Sequence, residues 1–228
     1  MIEIIPTNTC PPDLAELLRR SAGLATFSPA VQLDISDGQF SPVSSWPYGE
    51  GQWEEIPSLA EVTSGVLYEA HLMVKEPVEL GEKLAGAGVS RILGHIESFD
   101  DPLDIISAFE TWKAAGAKEV GLALLLDTPT AALEPNIRDC DVVQVMSIGT
   151  LGLQGAAFDA RATDRIEELH SKYRELVIEV DGGVNETNIP DLVRAGATRL
   201  SIGSAISKSP DPAESYADLK KLAESITF

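Results

Sequence analysis

Eight short apolar runs rich in β-forming residues recur along the chain, with helically spaced stretches between most of them. No other feature restricts the fold as strongly. The runs are IEIIP (2–6), AVQLDI (30–35), GVLYEAHLMV (65–74), VSRILGHI (89–96), EVGLALLL (119–126), DVVQVMSI (141–148), LVIEVD (176–181) and TRLSIG (198–203). Amphipathic segments at 12–21, 76–88, 102–117, 159–173, 189–197 and 212–225 predict helices. In 76–88, Val78, Leu80, Leu84 and Ala85 fall three to four apart, and Gly86 and Gly88 are candidate C-cap residues. Runs that are mostly apolar rather than alternating fit parallel strands buried on both faces. Eight such units in 228 residues predict an α/β fold, a (β/α)8 TIM barrel forming a single domain over 1–228, in preference to an open doubly wound sheet. The weak unit is the second. Its segment 39–64 begins as a loop rich in Pro, Gly and aromatic residues before a short helix, and long βα loops belong at the C-terminal face where barrel active sites sit.

Charge excludes one broad class of partner. With 17 basic and 36 acidic side chains the net charge is −19, a surface that repels polyanions, so no nucleic-acid partner is expected. Any phosphate must then be held by short-range groups such as peptide N–H. Cys10 and Cys140 are too few and too far apart for a disulfide framework and are read as reduced thiols. The start of the chain has no basic and apolar leader pattern, and no run approaches bilayer length. The expectation is a soluble cytoplasmic protein with no membrane partner.

In a barrel, polar residues near the strand C-termini converge on one mouth. Thr7, Gln32, Asp34, His71, His95, Glu97, Asp127, Met146 and Asp181 are the candidates. An unpaired carboxylate inside a strand such as the one holding Asp34 is costly, so Asp34 needs either hydrogen-bond donors or a function. Asp34, His71 and Asp181 together make a plausible site for a divalent cation or for proton transfer, and the pattern does not choose between them. DGGV (181–184) and IGSAI (202–206) are glycine turns after strands 7 and 8, where barrels often bind phosphate through backbone amides, although plain turn chemistry explains them equally well. Asp127 reads best as the N-cap of a following helix.

The segments VQLDISDGQFSP (31–42), YEAHLMV (68–74), GHIES (94–98), GLALLLDTP (121–129), VQVMSI (143–148), EVDGGV (179–184) and LSIGSAI (200–206) resemble, in order and spacing, the ribulose-phosphate 3-epimerase family. IIPTNTCPPDLAEL (4–17) is similar to that family's first strand and helix, so the likeness covers nearly the whole chain. The resemblance implies a barrel of the ribulose-phosphate-binding type and an isomerase of pentose phosphate metabolism. Its reaction interconverts D-ribulose 5-phosphate and D-xylulose 5-phosphate by proton transfer between two aspartates through a metal-stabilised enediolate. By position Asp34 and Asp181 would carry the proton and also bind the metal with His71. Met73, Met146, Thr7 and Gly152 would line the cavity, and Gly182, Gly183, Gly203 and Ser204 would grip phosphate. The implied cofactor is a divalent metal, zinc or iron, with manganese, cobalt or magnesium open.

The chain departs from the family pattern at five places, two of them Thr7 in place of serine and Leu126–Asp127 in place of Asn-Pro. Gln32 stands where the family has a metal-binding histidine; it is a possible fourth ligand, its amide oxygen weaker for zinc than imidazole though acceptable to harder cations. Ser36 replaces a methionine, and the loop 149–159, GTLGLQGAAFD, lacks the family's proline. Three readings therefore stay open. One is the ribulose-phosphate epimerase or an epimerase for another ketose phosphate. A second is a catalytically altered or silent sugar-phosphate-binding barrel. The third is a decarboxylase or aldol enzyme, disfavoured because strand 2 lacks the lysine of the D-x-K-x-x-D motif. The family often forms homo-oligomers, and self-association is expected.

Overall fold

The computed structural model of the chain describes residues 2–61 and 65–226. Eight parallel strands close into a barrel in chain order: β1 (Glu3–Thr9), β2 (Ala30–Ser36), β3 (Leu67–Met73), β4 (Arg91–His95), β5 (Glu119–Leu124), β6 (Val142–Met146), β7 (Val177–Asp181) and β8 (Arg199–Ile202), with β8 pairing back to β1. Outside lie α1 (Leu14–Ala25), α2 (Pro77–Gly86), α3 (Pro102–Ala115), α4 (Arg161–Lys172), α5 (Ile189–Ala195), the single turn α6 (Ser204–Ser207) and α7 (Pro212–Glu224). Helix starts follow from local chemistry. Asp13, Asp101 and Asp211 cap α1, α3 and α7 by accepting first-turn amide hydrogen bonds, and proline fills the early positions of α2, α3 and α7, where no N–H is needed.

The eightfold reading agrees with this barrel, while several details differ. β1 extends three residues past the expected 2–6 to Thr9, so Thr7 lies within the strand rather than after it. α1 starts at Leu14 and ends at Ala25 instead of covering 12–21. α2 runs through Gly86, Ala87 is its C-cap, and Gly88 takes the positive φ. The short helix expected in the second unit is present as a 3-10 helix, Gln52–Glu61, and the last part of its 39–64 span, residues 62–64, lies outside the described residues. The fifth unit carries only a 3-10 turn, Thr130–Leu133. Asp127 does not cap it: Pro129 holds that position, and Asp127 pairs instead with Arg161 at 2.8 Å.

Side-chain alternation sorts each strand into two faces. In β3, Tyr68, Ala70 and Leu72 join the large apolar cluster beneath the helices. The alternate residues Glu69, His71 and Met73 belong to the barrel interior, where they are also buried. The same parity holds in β2, with Val31, Leu33 and Ile35 in the apolar cluster and Gln32, Asp34 and Ser36 on the other face. The interior of this barrel is therefore polar, unlike the branched apolar filling usual for the fold. At the N-terminal end of the strands, Arg91 pairs with Glu3 at 3.1 Å and Glu119 at 3.4 Å, while Arg199 pairs with the same two residues at 3.0 and 2.6 Å. Above them sit Glu69 and Glu179, both fully buried; burial and the repulsion of Glu179 raise the pKa of Glu69 well above the usual carboxylate range.

Candidate active site

Strand register assembles the centre. Asp34 on β2 and His71 on β3 are direct neighbours across the ladder, and Met146 on β6 lies beside Asp181 on β7. The His71 Nδ1 is 3.3 Å from Asp34 Oδ1 and 3.3 Å from Asp181 Oδ2. His71 and Asp34 are buried, and Asp181 is nearly so. Residues 34 and 181 are far apart in sequence yet share one imidazole nitrogen, a convergence that barrel closure alone produces.

Gln32 lies directly beneath. Its Nε2 donates to Asp34 Oδ1 at 2.6 Å and to Asp181 Oδ2 at 3.1 Å, while its Oε1 accepts from Ser201 Oγ at 2.7 Å and from Gln144 Nε2 at 3.1 Å. Four hydrogen bonds thus anchor a fully buried amide. In this orientation Gln32 is a donor to the carboxylate pair, and an amide nitrogen offers no lone pair to a cation. Ligation through Oε1 requires the side chain to turn over. Gln144, which underpins this arrangement, is a polar residue in the otherwise apolar run VVQVM, and that interruption is the signal by which sequence reasoning could have found it.

Burial and the charge of Asp181 raise the pKa of Asp34, outweighing the opposing hydrogen bonds from His71 and Gln32. Burial alone would lower the pKa of His71, but its contacts with Asp181 and Asp34 raise it to about 9. Behind His71 runs a further chain. His71 Nε2 lies 2.9 Å from His95 Nε2, His95 Nδ1 lies 3.2 Å from Glu97 Oε2, and Glu97 Oε1 accepts from the Leu125 N–H at 2.8 Å and from the Thr128 hydroxyl. His95 is completely buried, its ring packed on Phe40, and burial holds its pKa down at about 4.

Thr7, Asp34, Met73, Met146, Gly152, Asp181, Gly182, Gly183, Gly203 and Ser204 all border one cavity. The expected phosphate turns and the expected acid and base residues therefore face the same space. Gly183 has a φ of +65° and a Cβ there would sit 2.8 Å from Phe158 N; a Cβ on Gly203 would sit 2.7 Å from Thr7 Oγ1. Met73, Met146, Ile148 and Leu151 form a separate apolar cluster at this mouth. The loop 149–159 crosses the opening, and Gln154 ties it down by donating to Thr9 Oγ1 at 3.1 Å and accepting from Ser207 Oγ at 3.2 Å. Thr9 and Gln154 were not among the expected site residues. The cavity measures about 40 Å³, far below the roughly 300 Å³ at the small end of ordinary ligand sites.

The donor set fits a metal ion. One atom each from Asp34, His71 and Asp181 lies within 4.8 Å of the others. The two 3.3 Å separations from Nδ1 match the edge of a tetrahedron with bonds of about 2 Å. Fold and site together define a (β/α)8 enzyme class with a dicarboxylate and imidazole centre beside glycine turns at the C-terminal mouth. Comparison with known proteins narrows it. The model of the ribulose-phosphate 3 epimerase family matches residues 20–207. The cytoplasmic isoform of ribulose-phosphate 3-epimerase from Oryza sativa subsp. japonica is 32% identical over 197 residues, 85% of this chain and 82% of that protein. The ribulose-phosphate 3-epimerase of Aquifex aeolicus is 31% identical over 84% of this chain and 83% of its own. The chain belongs to the ribulose-phosphate 3-epimerase family, enzymes of the isomerase class. Among solved structures, 3-keto-L-gulonate-6-phosphate decarboxylase from Vibrio cholerae superposes with a TM-score of 0.74 at 11% identity, covering 100% of each chain. A 3-hexulose-6-phosphate synthase from Salmonella typhimurium also gives 0.74, at 16% identity, covering 99% of this chain and 100% of that one. At such identities these two likenesses concern the barrel alone. No helix among the described residues is long and apolar enough to cross a membrane.

Proposed function

We propose that the protein interconverts D-ribulose 5-phosphate and D-xylulose 5-phosphate by moving the C3 proton between Asp34 and Asp181. The observation that carries this reading is the delivery of two carboxylates, from β2 and β7, to one cavity that the 182–183 and 203–204 turns also border. Proton abstraction beside a ketone needs a base whose pKa is lifted toward neutrality, and burial together with Asp181 does this to Asp34. Asp181 supplies the proton on return from the other side. Amides at Gly182, Gly183, Gly203 and Ser204 hold the phosphate by short-range hydrogen bonds, Met73 and Met146 keep water from the reacting carbon, and Thr7 and Gly152 shape the remaining wall. A divalent cation held by Asp34, His71 and Asp181 supplies Lewis-acid stabilisation of the negative charge that develops on the substrate oxygens. Zinc or iron suits the imidazole, and manganese, cobalt or magnesium suits the carboxylates.

A xylulose 5-phosphate assay after loading with each metal tests the proposal. Turnover is expected in wild type, with losses of roughly 10²- to 10⁴-fold in Asp34→Asn and in Asp181→Asn. No turnover with any of these metals would sink it. A second reading, a sugar-phosphate binder without catalysis, is supported by the donor orientation of Gln32; it requires Asp34→Asn to leave ligand affinity unchanged in a protein that turns nothing over. Decarboxylase or aldol chemistry is disfavoured because β2 and the residue after it read Asp34-Ile35-Ser36-Asp37, without the lysine of the D-x-K-x-x-D motif. The cytoplasm, a homo-oligomer and a single folding domain complete the proposal. The rice relative's designation as a cytoplasmic isoform supports the first of these.

A further inference from the structure

We propose that Glu97 is a positioning residue that orders the protons along the Glu97, His95 and His71 chain so that the His71 Nδ1 is the nitrogen that gives up its proton and offers its lone pair to a metal ion. The proposal rests on the reading above that Asp34, His71 and Asp181 hold the ion.

The argument is one of donor and acceptor matching. Glu97 Oε1 is occupied by two donors, the Leu125 N–H and the Thr128 hydroxyl, which leaves Oε2 as an acceptor facing His95 Nδ1 at 3.2 Å. His95 therefore carries its proton on Nδ1. Its Nε2 is then an acceptor, and the group facing it at 2.9 Å is His71 Nε2, which must donate. The Nε2 proton of His71 is thereby held by His95, so the proton that a metal ion displaces is the one on Nδ1, between Asp34 and Asp181, and the lone pair it frees is aimed at the ion. Two back-to-back imidazoles thus transmit the polarity of one carboxylate to the centre of the site, an extended version of the carboxylate behind a metal-bound histidine. Both rings are fully buried, so water does not replace a lost partner.

Glu97→Gln separates this role from simple packing because it keeps the shape and reverses the polarity. The amide oxygen of Gln stays with the Leu125 N–H and the Thr128 hydroxyl, which puts the NH2 against His95 Nδ1. His95 then holds its proton on Nε2 and donates to His71 Nε2, leaving the His71 proton on Nδ1 where the metal should bind. The chain has 3 histidines, so imidazole nitrogen NMR resolves them once His170→Gln assigns the third. Metal-free wild type is expected to show His95 as the Nδ1–H tautomer, and folded Glu97→Gln as the Nε2–H tautomer. Zinc affinity, read by competition with a chromophoric chelator, is expected to fall about 10- to 100-fold in the variant. An Nε2–H tautomer in wild type, which needs no variant, overturns the proposal. So does an unchanged tautomer or an unchanged zinc affinity in Glu97→Gln. If wild type shows the Nδ1–H tautomer yet takes up no zinc, the metal reading fails and the proposal with it, an outcome distinct from failure of the hydrogen-bond chain alone.

Discussion

At the scale of single residues, Gln32 concentrates the chemistry peculiar to this chain. Its amide neutralises part of the repulsion between Asp34 and Asp181 by donating to both, a task a cation performs more strongly. Gln32→His replaces that donor by an imidazole among three existing ligands. Zinc affinity is expected to rise at least about tenfold, checked by chelator competition. The proton on His71 competes with the metal for the same nitrogen. Burial opposes this proton, yet Asp181 and Asp34 raise the His71 pKa to about 9, so at pH 7 the metal-free imidazole is charged and must lose a proton on ligation. Apparent zinc affinity is therefore expected to increase with pH up to about 9 and flatten above it, with proton release measurable by calorimetry in buffers of different ionisation enthalpy.

At the scale of elements, the turn after β7 and the loop 149–159 are packed on each other. A Cβ on Gly183 would approach Phe158 N to 2.8 Å and Ala156 O to 3.0 Å, both backbone atoms that cannot swing aside. The positive φ adds strain for any L side chain. Gly183→Ala is expected to displace the loop and raise KM for the sugar phosphate about tenfold or more, with a smaller change in kcat, since it disturbs ground-state binding and leaves the aspartates in place. Steady-state kinetics with D-ribulose 5-phosphate check this. Ser147 braces the same turn by donating to the carbonyls of Asp181 at 2.9 Å and Gly182 at 2.5 Å.

At the scale of the whole molecule, the charge of −19 faces a dianionic substrate class. The proposed grip relies on peptide N–H groups and a local cation, so binding needs no basic surface. The long-range field still opposes encounter. Raising ionic strength from about 0.01 to about 0.15 M shortens the Debye length from about 30 to about 8 Å, so kcat/KM is expected to rise about two- to fivefold. A fall with added sodium chloride would overturn this expectation.

The amino-acid sequence by itself determined the eightfold rhythm of strand and helix, because burial of apolar side chains has a period that can be read along the chain. It also determined the chemical types of Asp34, His71 and Asp181 and the position of the glycine turns. Only the tertiary structure decided that the strands carry a polar interior, because the faces of Glu69, Gln144 and Glu179 depend on which side closes into the barrel. The direction of the Gln32 amide belongs to that level too: Ser201, Gln144 and Asp181 reach it from three other strands, and Asp34 from its own. So does the fate of Asp127, whose helix-cap signal is local but whose partner, Arg161, arrives from another unit. Local rules report propensities within a few residues, whereas a proton's place on His71 depends on a carboxylate two side chains away.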